Sequence, residues 1–181
     1  PDAFVVCHAA GREQIEGYFP QACEVSKTRG NLLNFAETHD NDRLAAVSPD
    51  YARMRTALCA LFSSAGAFGI TNGVEWFATE KVDVHGSSGL NWGAELNQVD
   101  RLARLNGLLA AHPAFSAEAS CRLIQNGGGN NLALLRTSRE RGQDVLVLVN
   151  LDIHAPTQVQ WPRDDFPLSD SGFVDLLTQC Q

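Results

Sequence analysis

The sequence predicts an α/β segment over residues 1–115 followed by an all-β segment over 116–181. Three observations carry this. A short apolar run, Leu32, Leu33, Phe35 and Ala36, breaks off into acids, amides and a histidine, Glu37-Thr-His-Asp-Asn-Asp42. Two stretches with helical periodicity, 48–63 and 95–111, alternate with this run and with a second, Gly-rich apolar run at 66–73. After Pro113 the texture changes to short β-type runs divided by turn residues.

Residues 2–7, Asp-Ala-Phe-Val-Val-Cys, read as a buried strand that ends at His8-Ala-Ala-Gly11. Residues 12–29 are read as one or two short helices interrupted at Pro20, because proline removes a helical donor. The run at 31–36 suits a strand buried on both faces, as in a parallel sheet. Glu37, His39, Asp40 and Asp42 then lie just past its carboxyl end, the edge where barrels of alternating strands and helices gather their catalytic groups.

Ser48-Pro49-Asp50 is a helix start, with Ser as N-cap, Pro at the first helical position and an acid in the first turn. Tyr51, Met54, Leu58, Leu61 and Phe62 continue it at helical spacing. The glycines of 66–73 suit a strand where backbones approach closely. Residues 74–94 lack periodicity; loops this long are functional or disordered, and Trp76, Phe77 and Trp92 argue against disorder. Over 95–111 the spacing predicts a helix with Leu96, Val99, Leu102, Ala103 and Leu109 on one face and Gln98, Asp100, Arg101 and Arg104 on others. His112-Pro113 stops it. Residues 120–125, 132–137, 144–150, 157–161 and 173–177 read as strands, with turns at 126–131 and 139–143. Short strands at this spacing indicate an antiparallel β-sandwich, with a boundary near residue 116.

Composition bounds the partners. A net charge of -7 over 181 residues argues against nucleic acid and anionic membrane, which need basic patches, and leaves neutral sugars or metabolites open. No apolar run approaches membrane-helix length. Residue 1 is Pro and not Met, so the lack of a signal peptide carries little weight. Cys7, Cys23, Cys59, Cys121 and Cys180 are scattered and odd in number, which favours reduced thiols in a cytoplasmic protein over a disulfide frame or zinc site.

Taken alone, the acid-rich loop after 31–36 could be a strand followed by a polar cap. The whole phrase Phe35-Ala-Glu-Thr-His39-Asp40 resembles the last of the four short conserved regions of the α-amylase family, glycoside hydrolase family 13, at the end of the seventh barrel strand. Gly73-Val-Glu75 resembles that family's loop after the eighth strand. Arg101-Leu-Ala-Arg-Leu-Asn106 with Ala111-His-Pro-Ala-Phe115 resembles its last barrel helix, and Val145-Leu-Val-Leu-Val-Asn-Leu-Asp152 its C-terminal β-domain. Within the family, Thr79-Glu-Lys-Val-Asp83, Asn150-Leu-Asp152 and Asp175-Leu-Leu-Thr178 are similar to phrases of the α-1,4-glucan maltosyltransferases. Those enzymes carry Pro where His39 stands; His39 is the ordinary amylase pattern.

The resemblance implies the carboxyl-terminal part of a (β/α)8 barrel followed by a β-sandwich. It implies a retaining enzyme of α-1,4-glucans or maltooligosaccharides, needing no cofactor and no metal. Asp40 takes the role of transition-state stabiliser and His39 that of a hydrogen-bond donor to the sugar. Asn41, Glu75, Trp76 and Lys81 are the candidate substrate-binding residues, and Trp92 is a second aromatic that could line a subsite. In the family the nucleophilic Asp and the acid/base Glu precede this stretch, and nothing before residue 31 matches their regions. The chain is therefore expected to need a preceding part of the barrel and not to turn over by itself. Two other classes stay open: a non-catalytic glucan-binding or structural module working through the β-segment, and a metal-dependent phosphohydrolase using His39 and Asp40 as ligands, with His8 as the other nearby His.

Overall fold

The structure, a computed structural model, describes residues 4–5, 11–63, 65, 67–83, 85–86, 89–124, 128–140, 143–162 and 172–178. Three short parallel strands, β1 (Phe4–Val5), β2 (Asn34–Phe35) and β3 (Phe68–Gly69), pair in the order β1-β2-β3. Helices α1 (Arg12–Thr28) and α2 (Pro49–Phe62) connect them, and α3 (Val99–Ala111) follows. Three antiparallel strands then form a second sheet, β4 (Ser120–Leu123), β5 (Asn131–Thr137) and β6 (Val145–Asn150), in order β4-β5-β6. The predicted α/β-then-β order is thus observed as mixed helices and strands with two separate sheets.

α1 is one helix and not two. It runs through Pro20, which sits on the exposed side, so its missing donor falls where water can reach the freed carbonyl. Ile15, Phe19 and Ala22 form its buried stripe. α2 begins as the sequence predicts: the Ser48 hydroxyl accepts from Tyr51 N at 3.0 Å, with Pro49 at the first helical position. Ser48→Ala should therefore cost about 1 kcal/mol, read as a lower urea midpoint with an unchanged slope.

α2 is the central pillar. Leu58, Ala60, Leu61 and Phe62 enter a core with Ile15 and Phe19 of α1, Leu105 of α3, and Leu132, Leu134, Val145, Val147 and Val149 of the antiparallel sheet. Phe19 and Phe62 meet edge to face at 5.4 Å. Ala52 and Cys59 face a second core with Ala36, Leu44, Ala45 and Phe77. The three helices therefore share one core with the antiparallel sheet, and that core is continuous across residue 116.

Several expectations are corrected. The 31–36 run is not buried throughout: β2 is only Asn34–Phe35, and Leu33 is 43% exposed while Leu32 and Asn34 are buried. Asn34 earns its place by donating from Nδ2 to Leu32 O and Ala67 O. The strand within 66–73 is likewise limited to Phe68–Gly69. There a Cβ on Gly69 would come within 2.7 Å of the Phe35 ring, the close approach the sequence suggested. α3 starts at Val99, later than predicted; Leu96 is exposed, whereas Gln98 is buried and donates from Nε2 to Val74 O at 2.8 Å.

Neither 157–161 nor 173–177 is a strand. Gln158 O accepts from the Asn131 side chain instead of entering a backbone ladder, Thr157 Oγ1 accepts from the same amide, and Val159 and Trp161 pack on Ile124, Ala133 and Leu135. Leu176–Thr178 turns around the Asp175 carboxylate, which accepts from Leu177 N and Thr178 N. Parts of the predicted strand at 2–7 and of the turns at 126–131 and 139–143 lie outside the described residues. No described helix is long and apolar enough to cross a membrane.

Candidate functional site

The loops leaving the carboxyl ends of β2 and β3 lie side by side, and a buried ion pair fixes them. Arg43 Nε stands 2.7 Å from Glu37 Oε1, with side chains 0% and 3% exposed. The other Glu37 oxygen accepts from Leu44 N at 2.6 Å, closing the 37–44 loop on itself. Arg43 Nη2 then reaches across to Asn72 O at 3.0 Å, and Thr71 Oγ1 donates to Glu37 O at 2.7 Å. Gly73 is required at the crossing: its φ is +94°, and a Cβ there would lie 2.8 Å from Arg43 Nη2.

His39 and Asp40 form the crest of the first loop. Their side chains are 55% and 80% exposed, with His39 Nε2 3.3 Å from Asp40 Oδ1. Asp40 N donates to Thr38 Oγ1, which itself donates to Asn41 Oδ1 at 2.9 Å. The turn thus presents the carboxylate, the imidazole and an amide together on one edge.

The second loop carries Glu75 and Trp76 on the 3-10 turn Val74–Trp76. Glu75 Oε2 accepts from Gly73 N at 2.9 Å, so part of its carboxylate caps its own turn. Trp76 and Trp92 stand 5.9 Å apart with rings inclined at 39°. Asn91 Nδ2 donates to Trp76 O at 2.6 Å and holds the two segments together. Trp92 is 71% exposed, a large apolar face open to solvent. Trp76 Nε1 is closed off from solvent and has no hydrogen-bond partner among the described residues. Lys81 is exposed further along the loop, where Glu80 accepts from Gly89 N and Asp83 from His85 N. Those two carboxylates shape the loop.

The structure therefore brings His39, Asp40 and Asn41 into one turn, and Glu75, Trp76 and Trp92 into the neighbouring one. The Glu37–Arg43 bracket, which joins the two, was not legible as a pair. A groove of about 310 Å³ between α2 and α3 is lined by none of these residues; Asp50, Arg53, Gln98, Arg101 and Arg104 border it. Among the described residues, no three of His, Cys, Asp and Glu converge in a way that could hold a metal ion, and His8 lies outside them. His112 caps the turn after α3 through Nδ1, which accepts from Ala114 N; burial lowers its pKa.

Compared with known proteins, the chain matches no protein-family model and no curated protein.

Proposed function

We propose that this chain supplies the sugar-binding edge of a retaining α-glucan-active enzyme, with Asp40 as the carboxylate that favours the cation-like transition state. The observation that carries the reading is the placement of Asp40 beside His39 just past the carboxyl end of a parallel strand, next to a loop bearing a Trp pair. Catalytic groups gather at that edge in (β/α)8 barrels. Parallel strand order β1-β2-β3 with α1 and α2 as the crossovers and α3 following fits the sixth to eighth strands of a barrel. Among the described residues β1 and β3 are each paired on one side, which fits a sheet that continues into further chain, and the antiparallel strands fit part of the β-sandwich domain behind such barrels.

On this reading Asp40 acts by charge. An anionic carboxylate already in place stabilises positive charge on the sugar ring more than the neutral ground state. His39 and Asn41 supply hydrogen bonds to hydroxyls, and Trp92 offers a face to a pyranose ring beside Trp76 and Glu75. The nucleophile and the acid/base, about 5–5.5 Å apart in a retaining site, come from a preceding part of the polypeptide.

Titration of the chain with a maltooligosaccharide tests the site. Trp92→Ala should weaken binding about fivefold, the equivalent of about 1 kcal/mol of lost stacking. The chain alone should release no glucose or maltose. Binding that is unchanged by Trp92→Ala and maps to β4–β6 would favour the non-catalytic glucan-binding module instead. Turnover by the isolated chain, abolished by Asp40→Asn, would show that the other carboxylates lie within these residues.

A further inference from the structure

Cys23 on α1 and Cys121 on β4 are distant in sequence and adjacent in space. Neither is in a disulfide, both are half-buried, and both pack against the same core cluster. α1 packs against β4 along this seam, and the Cys23 side chain lies close enough to act on the Cys121 thiol. Two cations attend the pair. Arg136 faces Cys121 in the β4–β5 register, and Lys27 lies one helical turn beyond Cys23. The same seam carries a second tie, Arg12 Nη1 donating to Gly129 O at 2.9 Å, so α1 is held against the antiparallel sheet at two points.

We propose that Cys23 and Cys121 are a redox-responsive thiol pair that closes to a disulfide between α1 and the antiparallel sheet, with a peroxide as oxidant. Cys121 is the attacking sulfur. The neighbouring Cys23 thiol, and then Arg136 and Lys27, act to lower its pKa against the opposing effect of burial, and so favour the nucleophilic thiolate. The thiolate attacks one peroxide oxygen and the O–O bond breaks, giving a sulfenic acid and hydroxide, which takes a proton to become water. The Cys23 sulfur then attacks the Cys121 sulfur; the S–S bond forms, the S–O bond breaks, and the departing hydroxide takes the Cys23 proton. Two thiols and one peroxide become one disulfide and two waters. Cys59 is an internal control, because full burial in α2 drives its pKa up and keeps it a thiol.

The test uses the reduced 181-residue chain, treated with equimolar hydrogen peroxide near neutral pH, alkylated, digested and mapped by mass without reduction. The expected product is a monomer whose Cys23 and Cys121 peptides are linked and lighter by the two thiol hydrogens, with Cys59 alkylatable only after unfolding. Its thermal midpoint should rise by about 5–10 °C and return on reduction. In Cys23→Ser, Cys121 should accumulate as sulfenic or sulfinic acid; in Cys121→Ser, Cys23 should stay reduced. A native monomer in which both thiols remain alkylatable would overturn the proposal, as would pairing of either cysteine with Cys7 or Cys180, or a link found only between chains.

Discussion

Arg43→Met is expected to destabilise the protein by about 3–5 kcal/mol, because it strands the Glu37 carboxylate in a dry site. Glu37 is 3% exposed, so water cannot replace the lost guanidinium without opening the loop. Removing both charges should be milder. A Glu37→Leu, Arg43→Met double variant loses the pair but leaves no orphaned ion, and should recover at least about 1–2 kcal/mol relative to Arg43→Met alone. Urea unfolding of the two single variants and the double gives the coupling directly. Strictly additive losses would mean that the pair is not the bracket described. The functional consequence follows from Arg43 Nη2 and Asn72 O: without that contact the His39–Asp40 turn is tied to the Glu75–Trp76 turn only through Thr71 Oγ1 and Glu37 O.

The second large effect is expected at Arg136, which is 0% exposed and lies across the seam between the helices and the antiparallel sheet. Its Nε donates to Ala114 O at 2.9 Å, and its Nη1 to Leu61 O and Ser63 O, each at 3.0 Å. Leu61 and Ser63 lie at the carboxyl end of α2, where carbonyls lack helical partners and a cation is favoured. The guanidinium also stacks over Phe115 at 4.3 Å. Burial lowers the Arg136 pKa, with the Cys121 and Cys23 sulfurs acting in the other direction, so the charge is retained at a desolvation cost. Arg136→Met removes that cost but leaves three buried carbonyls without a donor, at about 1–3 kcal/mol each. The net loss should be about 3 kcal/mol. Arg136→Lys should also destabilise, since a single ammonium cannot reproduce the guanidinium fork. Thermal and urea unfolding within 1 kcal/mol or so of the parent for both variants would contradict the assignment.

Much of this arrangement was legible because local chemistry and tertiary packing agree. Ser48-Pro49-Asp50 starts α2 where its cap chemistry says it should, and His112 ends α3 as predicted. The polar turn after β2 was legible from the abrupt change at Glu37. The misses have separate causes. Residues 157–161 alternate as a strand does and half-bury Val159 and Trp161 accordingly, but the Asn131 side chain takes the Gln158 carbonyl that a ladder would use. Pro20 looked like a break because sequence does not reveal that its side of α1 faces water. The buried Arg43 and Arg136 were read past because an arginine defaults to surface. For Arg136 a signal existed: it follows Leu132 and Leu134 at strand period, on the face that enters the main core. Arg43 offered no comparable pattern, since its partner and its acceptor on Asn72 meet it only through the fold.

The proposed sugar site, with an anionic group at position 40, has a direct test in paired titrations. One ligand is a neutral maltooligosaccharide; the other is an analogue of the same length carrying a protonated amine at the ring position that becomes positive in the transition state. The parent chain should prefer the cationic ligand, and Asp40→Asn should lose about tenfold in affinity for it, about 1.4 kcal/mol, while binding the neutral sugar as before. Equal affinity for the two ligands in the parent, or an Asp40→Asn variant that keeps the preference, would contradict the account.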